Sequence, residues 1–372
     1  MRGRILFPIA AFAALLAACK PKAPAPRPAV PLVHAIVADT SGLGRLVAHA
    51  GHQGNRGSVA IIGDPADAIG LARMFLVADR ADNIDGRALR DSLPDFAGES
   101  FDVILDAFNA PYIHFLSEGR QAERTDSLRT AAVQNAVFAW DTTCVTSAAD
   151  QRSLLPKSQA KVVIFTSSLQ AEFGLFDVDT LQQLTGASTV LLSPVNTLLD
   201  DAFAAGARNL AVWTSRDVRL SHAWEDVFAR RQSPEAHLQV ITPDPALDVR
   251  TEFRNLLRQY RSAGRGLDAL IIDSYSVKRA PLLSELAMIR QEGTDEDAAL
   301  SRMLSPDFRI LDPATSAIDA TYRLFRERNL FTHRIALPSA RYYETVESQD
   351  GSPVLMEVAA TYAQKAYVPD ID

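Results

Sequence analysis

The feature that most constrains this chain is a ladder of short apolar runs between Lys161 and Pro313. The rungs are Lys161–Ser168, Thr189–Pro194, Leu210–Ser215, Leu238–Asp244, Leu267–Ser274 and Phe308–Pro313. Each has a core rich in Val, Ile and Leu, ends in small polar residues, and is followed by an amphipathic stretch. Continuous apolar runs of about five residues predict strands buried on both faces, hence parallel sheets covered by helices.

The intervening segments carry matching punctuation. Asp177 or Asp179 is placed to cap a helix through Gln183 that stops near Gly186. Asn196–Ala205 puts Leu198, Leu199, Ala202 and Phe203 on one face and ends at Gly206. Asp248 opens another helix, with Phe253, Leu256, Leu257 and Tyr260 at helical spacing and Gly264 as its stop. Acids at helix starts and glycines at helix ends satisfy backbone groups that the helix itself leaves unpaired. Strand and helix alternating at about 20–30 residues is the βαβ rhythm. The fold class is therefore α/β, with two Rossmann-like, doubly wound lobes of parallel sheet and a small C-terminal β-hairpin addition.

Residues before the ladder are less regular. Val33–Asp39 reads as a strand, and Thr40–Gly44 as a small polar turn lacking both the later glycine of a dinucleotide fingerprint and the lysine of a P-loop. Ser58–Gly63 and Ser100–Asp106 are further strands. Asp64 and Asp67 open a helix through Val77, and Asn109 leaves the end of the Ser100 strand. Thr125–Trp140 is a long helix with Leu128, Ala132, Val133 and Val137 inward. Thr142–Ala160 is polar and reads as a hinge or a crossover between the lobes. After the ladder, Ala314–Asn329 is a basic amphipathic helix, and the strands flanking Asp350–Gly351 form a hairpin suited to covering a sheet edge.

The start of the chain has its own signature. Arg2 and Arg4 precede an apolar core from Ile5 to Leu16, and Leu16-Ala17-Ala18-Cys19 follows. This stretch resembles the lipobox of bacterial lipoproteins. The resemblance implies a signal peptide over 1–18 and a lipid (palmitate) on Cys19, which would anchor the protein to the bilayer. Residues 19–32 hold five prolines between Lys20 and Pro31 and read as an extended tether. Lys20, in place of an aspartate after the cysteine, favours the outer membrane of the cell envelope. The expected organisation is then 33–155 for the first lobe, 156–335 for the second, and 336–372 for hairpin and tail.

Composition narrows the partners. The formal charge of −7 becomes −9 once Arg2 and Arg4 leave with the signal, so no basic footprint for nucleic acid exists. Besides Cys19 only Cys144 carries a thiol, and a buried apolar role is its default. His49 and His52 lie three apart with no acid at ligand spacing, so no metal and no cofactor is expected.

Ligands of open α/β sheets sit beyond the carboxyl ends of the strands. The candidate ligand-binding residues are accordingly Asn109, Thr166, Ser167, Ser168, Ser193, Thr214, Asp273, Ser274 and Tyr275. Lipobox, tether and two lobes together resemble the two-lobed solute-binding lipoproteins of the periplasm. That resemblance implies a small polar solute in a cleft, and a transporter or another envelope component as partner. The stretch from Lys161 to about Phe331 is also similar to the aspartate/glutamate racemase family. Thr166-Ser167-Ser168, Asp273-Ser274-Tyr275 and Asp312-Pro313 stand where that family has Cys-Asn-Thr, Gly-Cys-Thr and an Asp-Pro before its terminal helix. Both catalytic cysteines are absent, so this second resemblance implies a racemase-like or hydrolase-like enzyme without a cysteine pair. If the lobes close around a cleft lined by these strand ends, Asp273→Ala is expected to weaken ligand binding strongly and leave the fold intact; if Asp273 only caps the helix after its strand, the change lowers the melting temperature and leaves affinity unchanged.

Overall fold

A computed structural model of the chain describes residues 27–40, 42–83, 85–116, 121–231, 235–244, 246–260 and 265–367. The expected signal peptide, Cys19 and most of the tether lie outside these residues. Twelve strands are described: β1 (Ser58–Gly63), β2 (Ser100–Leu105), β3 (Thr143–Ser147), β4 (Asp150–Pro156), β5 (Ala160–Phe165), β6 (Val190–Leu192), β7 (Asn209–Trp213), β8 (His237–Ile241), β9 (Leu267–Ile272), β10 (Leu304–Leu311), β11 (Ser339–Glu347) and β12 (Pro353–Val358). They form two sheets, ordered β4-β3-β12-β11-β2-β1-β5-β6 and β10-β9-β7-β8. The α/β class is thus as expected, with β11-β2-β1-β5-β6 all parallel in the first sheet and every strand parallel in the second.

Alternation along each strand explains why both faces need cover. Val59 and Ile61 of β1 join a core with Ile69 and Phe75 from the helix Pro65–Leu76 and Phe325 from the helix Pro313–Arg328. Ala60 and Ile62 point the other way, into a core with Val133 from the helix Gln121–Trp140 and Val178 from the helix Ser168–Thr185. Successive side chains leave a strand on opposite faces, so one apolar run feeds two cores. The second sheet repeats this. Leu210 and Val212 meet Leu198 and Trp224, while Ala211 and Trp213 meet Phe253 and Leu257.

Five expectations change. Val33–Asp39 is not a strand but most of the helix Pro31–Ala38, because Pro31 pre-sets the first turn and Val33 and Ile36, three apart, are buried on one face. Thr142–Ala160 is no hinge: β3 and β4 form an antiparallel hairpin within the first sheet. Asp177 and Asp179 lie inside the helix Ser168–Thr185, which Ser167 caps. Asp177 is buried in a pair with Arg129 at 2.7 Å. The C-terminal hairpin does not cover an edge, since β11 lies between β12 and β2. Finally, the lobes do not divide at residue 155. Strands β5 and β6 complete the first sheet, so the second lobe is an insertion carrying β7 to β10, entered through the helix Pro194–Ala204 and left through Pro313–Arg328.

The helices Gln121–Trp140 and Ser168–Thr185 approach closely at Gly174, where an added methyl group would lie 2.1 Å from Ala132 Cβ. Backbone shifts of that kind cost about 1–3 kcal/mol. Gly174→Ala is therefore expected to lower the unfolding free energy by about that amount in urea titrations, with little change of m-value.

Candidate functional site

Strand order locates the site. From β1 the chain moves to β2 on one side, whereas β5 lies on the other, so the first sheet has a crevice between the ends of β1 and β5. In the second sheet β7 leads to β8 on one side and β9 occupies the other, which places a second crevice between the ends of β7 and β9. Such switch points leave room beyond the carboxyl ends because the flanking connections diverge. Gly63, Asp64 and Thr166 stand at the first crevice, and Thr214 and Asp273 at the second.

The two crevices meet. Ser168 Oγ, from the first lobe, donates to Asp273 Oδ1 at 2.5 Å, while Thr214 Oγ1 and Trp224 Nε1 donate to Asp273 Oδ2 at 2.8 and 2.7 Å. Burial raises the Asp273 carboxyl, against the opposing pull of these three donors. Asp67 sits one helical turn beyond Asp64. Its carboxyl is pushed up to about 7, first by burial and then by the charges of Asp64 and Asp273. Tyr275 senses Asp67, Asp273 and Asp312, and burial with those charges holds its phenol well above the usual range, hence protonated.

Several polar groups here have no hydrogen-bond partner among the described residues. They include the Tyr275 hydroxyl, Thr166 Oγ1 and both ends of the Gln170 amide. Thr166 is only 3% exposed and Gln170 fully buried. Thr166 Oγ1 also fills the space beside Gly63, where a methyl group would come within 1.8 Å of it. Buried polar groups are nearly always paired, so unpaired ones at a crevice are the groups a ligand or water would meet.

The sequence-derived residues thus divide. Ser168, Thr214, Asp273, Tyr275 and Thr166 are brought to the meeting of the lobes. Ser167 and Ser193 cap the helices Ser168–Thr185 and Pro194–Ala204 through the amides of Gln170 and Asn196. Ser274 turns onto Ser276 Oγ at 2.8 Å. Asn109 donates to Asp106, which also accepts from Tyr112, Asn135 and Thr345 at the end of β2. Sequence reasoning missed Asp67 and Gln170. Asp67 looked like one more acid in a helix's first turn, and nothing in the pattern marked Gln170 as buried. Among the described residues no group of three or more His, Cys, Asp or Glu is arranged to hold a metal ion, and no helix is long and apolar enough to cross a membrane.

The sequence matches no protein-family model and no curated protein. Among solved structures it is similar to a glutamate racemase from Francisella tularensis, at 12% identity over 86% of this chain and 96% of that one, with a TM-score of 0.48. A putative Asp/Glu racemase from Yersinia pestis gives 12% identity over 72% and 98%, with a TM-score of 0.40. The maleate isomerase Iso from Pseudomonas putida gives 10% over 73% and 92%, with a TM-score of 0.38. None of these proteins is titled a solute-binding lipoprotein, so the expected resemblance to that class finds no counterpart among them. The signal peptide and palmitate that went with that resemblance gain no support from them. Identities of 10–12% and TM-scores of 0.38–0.48 leave activity to be read from the residues themselves.

Two outcomes follow from the geometry. Removing the Asp273 carboxylate strands three donors, so Asp273→Ala is expected to cost about 2–4 kcal/mol of stability in chemical denaturation. Asp67 has a folded pKa of about 7 against an ordinary 3.8, so the folded state keeps a proton that the unfolded chain releases. The resulting stability is fully present below the ordinary value and is lost as pH rises through about 7. Relative to Asp67→Asn, the wild-type unfolding free energy should fall by about 2–4 kcal/mol between about pH 4 and 7.5.

Proposed function

We propose that this protein is an enzyme that moves a proton on a small polar substrate held where the two sheets meet, without a cysteine pair. One observation carries the reading: Asp67, beside both switch points, has its carboxyl near 7 through burial and the neighbouring charges of Asp64 and Asp273, with the protonated Tyr275 hydroxyl close by. A group whose pKa matches the working pH is divided between acid and base, and so can both take and return a proton. Tyr275 OH and Thr166 Oγ1 supply hydrogen bonds for orientation, and Asp273 fixes the facing edge through its three donors.

Thiol chemistry has no place in this reading. Cys144 is buried in β3, away from either crevice, and burial pushes its thiol up, which leaves it protonated and unreactive. Asp67 and Tyr275 take the acid–base roles that paired thiols fill in the racemase family this chain resembles.

The test is exchange of carbon-bound hydrogen in deuterium oxide, read by proton NMR over a panel of small amino, hydroxy and keto acids. Wild type is expected to catalyse exchange in one class, with a rate that titrates near neutral pH. Asp67→Asn should lower the rate by at least about 100-fold, whereas Cys144→Ser should leave it unchanged. No exchange across the panel, or exchange indifferent to Asp67→Asn, would end the proposal.

A further inference from the structure

The chain passes between the two sheets through the helices Pro194–Ala204 and Pro313–Arg328, and these lie side by side. Asp201 of the first accepts from Ser316 Oγ at 2.6 Å and pairs with Arg323 at 3.1 Å, both from the second. Beside this junction is a cavity of about 540 Å³, lined by both helices, by β10, and by Arg80 and Arg279. Four guanidinium groups line it: Arg80, Arg279, Arg309 and Arg323.

Their pairing is uneven. Arg80 is held by both oxygens of Asp319, at 2.7 and 2.9 Å, and Arg323 by Asp201. Arg279 meets only Asp312, at 3.8 Å, and its Nε is buried with no partner. Arg309 is exposed and makes no ion pair among the described residues. The three acids lining the cavity therefore leave one positive charge uncompensated, in a chain whose formal charge is −7. Long-range attraction does not draw anions to such a protein, so binding here would depend on local contacts.

We propose that this cavity binds a small phosphate-bearing molecule that ties the two lobes together at their connection. A tetrahedral phosphate accepts hydrogen bonds from several directions at once, which suits guanidiniums converging from different elements better than a planar carboxylate does. Arg279 and Arg309 come from the second lobe and have donors to give. Thr315, in the first turn of the helix Pro313–Arg328, also lines the cavity, and its hydroxyl makes no hydrogen bond among the described residues. Arg80 and Arg323 extend the positive wall on the side of the first lobe. A ligand bridging these groups would stiffen the angle between the sheets, and with it the distance between Asp67 and Asp273.

The experiment is isothermal titration of the full chain with inorganic pyrophosphate at matched ionic strength, beside Arg279→Gln/Arg309→Gln and Arg309→Gln. Wild type is expected to bind one equivalent saturably, and the double variant at least about tenfold more weakly, since each lost charge-assisted hydrogen bond accounts for about that factor. Far-UV circular dichroism checks that the double variant is folded. If it is not, the single Arg309→Gln change at an exposed position serves as the readout and should weaken binding several-fold. Absence of saturable binding to wild type, or equal affinity in a folded variant, would overturn the proposal.

Discussion

The Asp273 carboxylate joins the two lobes where their strand ends meet, beside the pair between Glu172 of the first lobe and Arg230 of the second. It stands at the end of β9 and accepts from Ser168 of the other lobe and from Thr214 and Trp224 of its own. A half-buried carboxylate is tolerated when most of its acceptor sites are occupied, and these three donors reach it from separate elements. Their directions converge only when the carboxyl ends of both sheets face each other. Across the gap, burial does most to raise Asp67 and to hold the Tyr275 proton, and the charge of Asp273 adds to both.

The opposite, amino-terminal edge of the first sheet is built differently. Lys161 Nζ pairs with Glu99 at 2.6 Å and donates to the carbonyls of Asn55 and Leu330. Lys157 Nζ donates to the carbonyls of Ala139, Asp141 and Ser158 and lies 3.4 Å from Asp102, which accepts from Ser58. Burial lowers both lysines, yet every ammonium hydrogen has an acceptor. Saturated ions of this kind fix strand ends and leave nothing to offer a ligand. At the carboxyl edge, Thr166 and Gln170 keep buried polar atoms unpaired.

The ladder of apolar runs placed every strand of the second lobe and two of the first to within a few residues, because a fully buried strand must be apolar on both faces. It could not show which sheet a strand joins. Nothing in Val162-Val163-Ile164 distinguishes pairing with β1 from pairing with β7, since that choice lies in contacts far apart along the chain. The β3–β4 hairpin was illegible for a related reason: β4 is mostly exposed, so it lacks the apolar signal altogether. Among site residues, Thr214 and Asp273 were legible from strand ends alone. Asp67 was not, because its carboxyl is raised first by burial, which only the assembled fold provides, and then by the charges of Asp64 and of Asp273, some two hundred residues away in sequence.

The place of β11 in the first sheet bears on how the chain is made. It fills the slot between β2 and β12, and β12 in turn joins the β3–β4 hairpin to the rest. A nascent chain emerging from the ribosome therefore has β1, β2, β5 and β6 available early, with the open side of β2 unmatched and the β3–β4 hairpin lacking its neighbour. The inserted second sheet, whose strands are all local to 209–311, can close on its own in the meantime. Non-local strand pairing is slow, and an exposed apolar edge invites wrong partners. For this chain, completion of the larger sheet waits on its last segments, so truncation near the C-terminus would strip the middle of the sheet rather than its margin.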